Sequence, residues 1–290
     1  MPKPWATSAA GRARWMITGA GGMLGADLQD ELAARDEQVV ALSRSELDVT
    51  DSRLVNAAVR EHAPTVIINC AAYTKVDLAE QEEAAANAIN GSAVELLAAA
   101  ANEAGARLIQ LSTDFVFDGS KTSPYEVNDQ TNPLSAYGRS KLLGEIAASH
   151  AEKHCIVRTS WLFGVHGPNF VEAIRNQIRK GTNPLRVVSD QRGRPTYTPH
   201  LARAVVRLAL QDAQGVVHYA DAEECSWYDF ARAIAEGSAT EVVPVSTEEF
   251  PRPAKRPAYS VLSTERYERL TGVTPESWRD GLRDYLSRRT

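Results

Sequence analysis

A glycine cluster at the end of an apolar run constrains this chain more than any other feature. Thr18-Gly19-Ala20-Gly21-Gly22-Met23-Leu24-Gly25 follows Trp15-Met16-Ile17, and Leu24, Leu28 and Leu32 then recur at four-residue spacing, so the helix runs from 23 to about 34. The pattern reads as strand, glycine turn, helix. Residues without a Cβ let the backbone turn tightly and bring N–H groups and the positive end of a helix against a pyrophosphate. Gly19, Gly21, Gly22, Met23 and Leu24 are therefore candidate dinucleotide ligands, with a purely structural glycine turn as the alternative.

Further apolar runs at 39–42, 65–70, 107–111 and 155–158 alternate with helical patterns ending near 62, spanning about 80–104 up to Gly105, and spanning about 136–152. Short, continuously apolar strands between helices predict a doubly wound α/β architecture, a Rossmann-like parallel sheet covered on both faces. After Trp161, Gly and Pro become frequent, and helices near 170–180, 201–211 and 227–236 are separated by irregular stretches. The expected division is a loose tail (1–13), a dinucleotide-binding domain (14–163) and a smaller mixed substrate lobe (164–290), with some segments of the last returning to the sheet.

Composition narrows the partners. The 290 residues carry 32 Lys+Arg against 37 Asp+Glu, a net charge of −5, which leaves no basic surplus for a nucleic-acid backbone. No apolar stretch approaches the ~20 residues of a membrane helix, and the N-terminal stretch with Lys3, Arg12 and Arg14 has no apolar core of a secretory signal. Cys70, Cys155 and Cys225 are odd in number and far apart, which predicts buried free thiols in a reducing compartment. A cytoplasmic protein without nucleic-acid or membrane partners is expected, as a monomer or homodimer.

The chemistry gathers in three places. Ser43-Arg44 follows the second apolar run, where a hydroxyl and a guanidinium suit a ribose 2′-phosphate better than a carboxylate would, so NADPH is expected ahead of NADH; a solvated surface arginine is the other reading of Arg44. Tyr137 and Lys141 are four apart, on one helical face, where an ammonium can pull a phenol toward general-acid range. Thr113 ends the fourth strand, where an open parallel sheet presents its ligands, and its hydroxyl can hold a carbonyl beside the tyrosine. His150 and His154 have the spacing of a helical metal pair but no glutamate beside the first and no third ligand, so no metal is expected.

The glycine turn, Ser112-Thr113-Asp114-Phe115-Val116-Phe117-Asp118-Gly119, Tyr137-Gly138-Arg139-Ser140-Lys141, Arg158-Thr159-Ser160-Trp161, Asp190-Gln191-Arg192-Gly193-Arg194-Pro195 and Arg256-Pro257-Ala258-Tyr259-Ser260 resemble the extended short-chain dehydrogenase/reductases, and within them the dTDP-4-dehydrorhamnose reductase family. The resemblance runs from Trp15 nearly to the C-terminus. It implies reduction of the C4 keto group of dTDP-4-dehydro-L-rhamnose by NADPH or NADH, with Thr113, Tyr137 and Lys141 as the catalytic triad. It places the dinucleotide on the glycine turn, Ser43, Arg44, Asp48, Val49, Ala71, Ala72 and Tyr73, and the sugar on Thr113, Asp114 and Trp161. Asn90 matches a family asparagine that either supports the site or bends its helix.

Phe115 stands where the family commonly has tyrosine, which leaves the ring and removes the hydroxyl. Ser263 stands where an aspartate often follows, in a lobe that carries a metal-linked dimer contact in some relatives. Arg192 and Arg194 are candidates for the substrate diphosphate, because a guanidinium fork matches phosphate oxygens. The alternatives within the superfamily are a nucleotide-sugar epimerase or dehydratase, and a non-catalytic NADP-binding regulatory subunit.

Overall fold

The computed structural model describes residues 13–289, so all of the expected tail but Ala13 lies outside the described residues. The strands are β1 (Arg14–Thr18), β2 (Gln38–Leu42), β3 (Val66–Asn69), β4 (Arg107–Thr113), β5 (His154–Thr159), β6 (Leu162–Phe163), β7 (Leu185–Val188), β8 (Arg192–Gly193), β9 (Thr196–Tyr197), β10 (Gly215–His218), β11 (Cys225–Ser226) and β12 (Val242–Val245). The helices are α1 (Met23–Ala33), α2 (Ser52–His62), α3 (Glu83–Asn87), α4 (Ala93–Ala104), α5 (Ala136–Ala148), α6 (Phe170–Arg179), α7 (Thr198–Leu210), α8 (Trp227–Ile234), α9 (Glu265–Thr271) and α10 (Trp278–Arg288).

Six parallel strands form the central sheet in the order β2-β1-β3-β4-β5-β10. Its continuously apolar strands bury both faces by a period of two. Ile17, Ile68 and Ile109 lie in register and face Leu24 and Leu28 of α1 and Val205 of α7. Their chain neighbours Met16, Ile67 and Leu108 turn the other way, onto Val55 of α2 and Val94 and Leu97 of α4. Each such aliphatic side chain contributes about 1.5–3 kcal/mol on burial, which pins the register, because a one-residue slip would turn every one of them to the wrong face.

A third apolar cluster lies outside the sheet. Phe163, Ile174, Leu185, Phe230, Trp278 and Tyr285 draw α6, α8, α10 and the parallel pair β7–β12 together. Between these pieces the chain goes back to the sheet, where α7 packs on α1 and β10 pairs with β5.

Two elements depart from the patterning. Alanine-rich spacing predicts one helix over 80–104, whereas the structure has a 3₁₀ turn at Leu78–Glu80, then α3, a π turn at Ala88–Ser92, and α4. The break sits where α5 crosses: a Cβ on Gly144 would lie 2.1 Å from the carbonyl oxygen of Asn90. Gly105 closes α4 in the left-handed conformation, φ 63°, as its position predicts. The helix expected over 136–152 ends at Ala148, so His150 and His154 share no helical face. His150 Nδ1 lies 3.0 Å from the Glu95 carboxylate, and His154, at the start of β5, turns Nδ1 to the Ala151 carbonyl at 2.7 Å.

Candidate functional site

The strand order reverses between β1 and β3, and in such sheets the crevice beyond those strand ends takes the ligand. Gly19 sits there at φ +65°, and a Cβ on it would fall 2.5 Å from the Ala71 nitrogen, just past β3. Only glycine fits that turn. Gly25 lets α1 close on it, since a Cβ would meet the Ala20 Cα at 2.7 Å. Gly22 caps α1 without any side-chain bond, and no acidic residue occupies the first turn. The leading N–H groups of α1, Met23 and Leu24 among them, are therefore open to a phosphate, and an anion is favoured by the helix end.

Around this turn, Gly21 leaves room toward Ser43, whose Cβ would lie 3.8 Å from an added one. Ser43 and the exposed Arg44 directly follow β2. Asp48 is exposed and its carboxylate accepts from the Thr50 backbone and hydroxyl, whereas Val49 is buried in the core. Ala71, Ala72 and Tyr73 are half-buried in the loop after β3. Asn90 holds that loop: its Oδ1 accepts from Tyr73 N at 2.9 Å, while Nδ2 donates to Tyr73 O at 3.0 Å and to Ser140 Oγ at 2.9 Å. Asn90 thus sits in the π turn and ties that loop to α5.

Thr113 is the last residue of β4, and α5 starts from the Ser135 cap, whose Oγ accepts from Gly138 N. Gly138 is obligatory, because a Cβ there would lie 2.3 Å from the Phe115 carbonyl oxygen. That close approach brings the start of α5, with Tyr137, alongside the end of β4, where Thr113 sits. The Phe115 ring meets the Tyr137 ring edge-on, centroids 5.8 Å apart. Asp114 is buried beneath them; its Oδ1 accepts from Thr113 Oγ1 at 3.0 Å and its Oδ2 from Ser260 Oγ at 2.5 Å. Thr113 has a single hydroxyl proton, so donation to Asp114 competes with donation to the tyrosine oxygen or to a substrate carbonyl.

The electrostatics correct one expectation. Tyrosine and lysine at four-residue spacing predict a phenol pulled down by the ammonium; in the structure Tyr137 is pushed up to about 12, by burial first and then by the Asp114 charge, with the nearby Thr113 hydroxyl opposing. Lys141 is buried and donates Nζ to the Leu111 carbonyl at 2.6 Å, and burial lowers it to about 8 against the pull of Glu145. Burial likewise raises Asp114 to about 6. Loss of hydration penalises every charged form here, and it outweighs the pairwise attractions.

A buried ion pair braces the three groups from behind. Glu145, one turn past Lys141, accepts from Arg158 Nε at 2.8 Å and Nη2 at 2.7 Å, and from Ser112 Oγ at 2.5 Å. His218 lies 3.3 Å from Arg158 and is pushed down to about 3 by burial and by that guanidinium, so it stays neutral beside the pair. Cys70, near Lys141, is raised to about 12 by burial and is no nucleophile.

A cavity of ≈ 260 Å³ opens beside Phe115, walled by Trp161, Trp227, Gln191, Ser260, Arg252 and Arg256. Trp161 takes a left-handed backbone, φ 50°, and stacks on Trp227 with centroids 3.6 Å apart and planes 7° apart. Gly193 lies flush against the indole, where a Cβ would come within 2.5 Å. Arg192 pairs with Glu224 at 2.8 Å and Arg194 is half-buried with Nε unpartnered; neither lines the cavity. Trp227, Arg252 and Arg256 escaped the sequence patterning, although Arg256 opens an Arg-Pro motif and Arg252 sits in a second one. Elsewhere, Asp27, Asp30 and His166 bring ligand-type atoms within 4.8 Å of one another, as acidic clusters do without an ion.

The fold, with its glycine turn at the switch point and Thr113, Tyr137 and Lys141 gathered beyond β4, is that of the extended short-chain dehydrogenase/reductases. The family described as RmlD substrate binding domain matches residues 13–290. The spore coat polysaccharide biosynthesis protein SpsK of Bacillus subtilis is 40% identical over 95% of this chain and 97% of its own. The dTDP-4-keto-6-deoxy-D-glucose reductase of Streptomyces niveus is 42% identical over 90% of this chain and 92% of its own. The crystal structure of dTDP-4-dehydrorhamnose reductase from Bacillus anthracis in complex with NADP superposes with a TM-score of 0.92 at 38% identity, over 96% of this chain and 100% of that one. This chain belongs to the dTDP-4-dehydrorhamnose reductase family.

Proposed function

We propose that this protein reduces the C4 keto group of dTDP-4-dehydro-L-rhamnose with NADPH, giving dTDP-L-rhamnose. The observation that carries the reading is the likeness, over nearly the whole length of both chains, to a reductase solved with NADP. The dinucleotide fits the residues present, since the uncapped start of α1 and the Cβ-free turn accept a pyrophosphate and Ser43-Arg44 stand ready for a 2′-phosphate. When bound, it supplies the hydride. Asp48, Val49, Ala71, Ala72 and Tyr73 would line its adenosine and ribose side.

Tyr137 delivers the proton to the alkoxide oxygen that develops at C4, and Thr113 donates a hydrogen bond to that oxygen. The phenol at about 12 keeps its proton at neutral pH until that charge appears. Lys141, charged at neutral pH, leaves the Leu111 carbonyl to meet the phenolate as it forms. Asp114 sets which way the Thr113 proton points, Phe115 and Trp161 wall the sugar, and Arg252 and Arg256 receive the diphosphate. Arg192 and Arg194, expected in that role from patterning, stay at the Glu224 rim.

All of these groups come from one chain, so a monomer suffices for activity and a homodimer would hold two independent sites. Among the described residues no helix is long and apolar enough to cross a membrane, and three unbridged cysteines favour a cytoplasmic location. The test follows NADPH absorbance with dTDP-4-dehydro-L-rhamnose, then repeats it with NADH. Stoichiometric oxidation of NADPH is expected. An epimerase or dehydratase would consume no net reductant, and a regulatory subunit would bind NADPH without turnover; either result would overturn the reading.

A further inference from the structure

Asp77 lies in the loop after β3, a few residues beyond the stretch that Asn90 clamps, and it collects N–H donors from a segment 175–179 residues later in the chain. Arg252 donates Nε and Nη2 to its Oδ2 at 3.1 and 2.7 Å. Arg256 donates Nη1 to Oδ1 at 3.0 Å and Nη2 to Oδ2 at 3.2 Å, and the Ala254 backbone adds a longer bond at 3.3 Å. Both arginines line the substrate cavity.

The donors can be counted. A guanidinium carries five N–H groups. Arg256 gives two to Asp77 and one to the Ala254 carbonyl and keeps two; Arg252 gives two and keeps three. Two positive charges meet one carboxylate, so one positive charge remains at the cavity wall. A carboxylate that merely filled the anion site would take up the donors and the charge; this one leaves both. Pro253 between the arginines, with Pro251 and Pro257 on either side of them, stiffens this stretch of backbone, and Asp77 fixes the long side chains, whose rotamers would otherwise have to be ordered on binding. Burial pushes Asp77 up, but the two guanidinium groups and the Ala254 N–H together outweigh it and hold the carboxyl down at about 2, so the clamp stays charged at any working pH.

We propose that Asp77 is a positioning residue for substrate binding: by holding Arg252 and Arg256 in the cavity wall, it pre-organises their remaining N–H groups for the diphosphate of a nucleotide sugar. This rests on the reductase reading above and assigns the residue that shapes its diphosphate subsite.

The experiment measures calorimetric binding of dTDP, thymidine and NADPH to the wild type and to Asp77→Asn, with steady-state kinetics on the keto sugar nucleotide. The variant should bind dTDP about tenfold more weakly, the equivalent of one lost charge-assisted hydrogen bond, with thymidine and NADPH affinities unchanged. Its KM for the sugar nucleotide should rise in step while kcat moves far less, and Asp77→Glu should recover part of the loss. Unchanged or tighter dTDP binding would overturn the proposal, the tighter result marking Asp77 as a competitor of phosphate. Parallel weakening of thymidine and NADPH would overturn it too, as a merely structural role.

Should Asp77→Asn fail to fold, Arg252→Lys keeps the charge but loses the fork on Asp77. It should also weaken dTDP and spare thymidine, and equal affinities would again overturn the clamp. A wild type that prefers dTDP over thymidine yet never oxidises NADPH with the keto sugar would sink the reductase reading alone.

Discussion

At the residue scale the site is governed by what burial does to charge. Tyr137 is raised rather than lowered, so the phenol keeps its proton at neutral pH, as the proton donor of the proposed reduction has to until the alkoxide develops. Tyr137→Phe should lower kcat by at least the ~10²-fold of a lost general acid, with NADPH affinity unchanged by fluorescence titration. Asp114 gives a second test because its sign is definite. Its pKa rises from the ordinary carboxylate value to about 6 on folding, so between about pH 4 and 6 the native state holds a proton that the unfolded chain has lost. Its contribution to stability therefore falls as pH rises through that window, by on the order of 2–3 kcal/mol. Asp114→Asn should abolish that fall; wild-type-minus-variant stability from urea melts of the ligand-free protein, measured from pH 4 to 7, should slope downward with pH. Asp77, lowered to about 2, acts with the opposite sign and only below pH 4. Thr113, Tyr137 and Lys141 could be picked from spacing and strand-end position. The direction of their pKa shifts could not, because desolvation is a property of the packed interior.

At the scale of elements, glycines decide where helices may approach. Gly138 lets α5 touch the Phe115 carbonyl, and Gly144 lets it touch the Asn90 carbonyl. Gly144→Ala would push a Cβ into backbone that cannot move like a side-chain tip. It should cost about 1–3 kcal/mol in urea unfolding and raise the NADPH Kd, because the displaced Asn90 also holds Tyr73. The strands β1, β3, β4 and β5 were legible because a buried parallel strand is largely apolar, and the half-buried edge strand β2 because its Val39–Leu42 run is apolar too. The π turn at Ala88–Ser92 was not, since alanine-rich sequence favours unbroken helix and the break comes from α5, some 50 residues away along the chain. The pair β7–β12 also left little local trace: each is four residues long and their partners are 57 positions apart.

For the whole molecule, contacts chain the switch point of the sheet to α5 and to the aromatic cavity: Gly19 against Ala71, Tyr73 through Asn90 to Ser140, and Tyr137 against Phe115 in the cavity wall. Arg44 stands exposed just past β2. Arg44→Ala should raise the KM for NADPH about tenfold through the loss of a charge-assisted contact to the 2′-phosphate, leave that for NADH unchanged, and be read in paired initial-rate measurements; equal effects on both would make Arg44 a solvated surface residue. The doubly wound class, the glycine turn and the Thr113, Tyr137 and Lys141 set were written in local order, because period, turn chemistry and helical spacing act over a few residues. The cavity wall was decided only by packing. Arg252 and Arg256 are ordinary surface-type residues until Asp77, far away in the chain, clamps them. The motif after β5 marks Trp161 in the sequence, but its stacking on Trp227 and the room Gly193 makes for it come only from packing. Contacts across such distances depend on where each backbone segment ends up, and no short-range pattern encodes that.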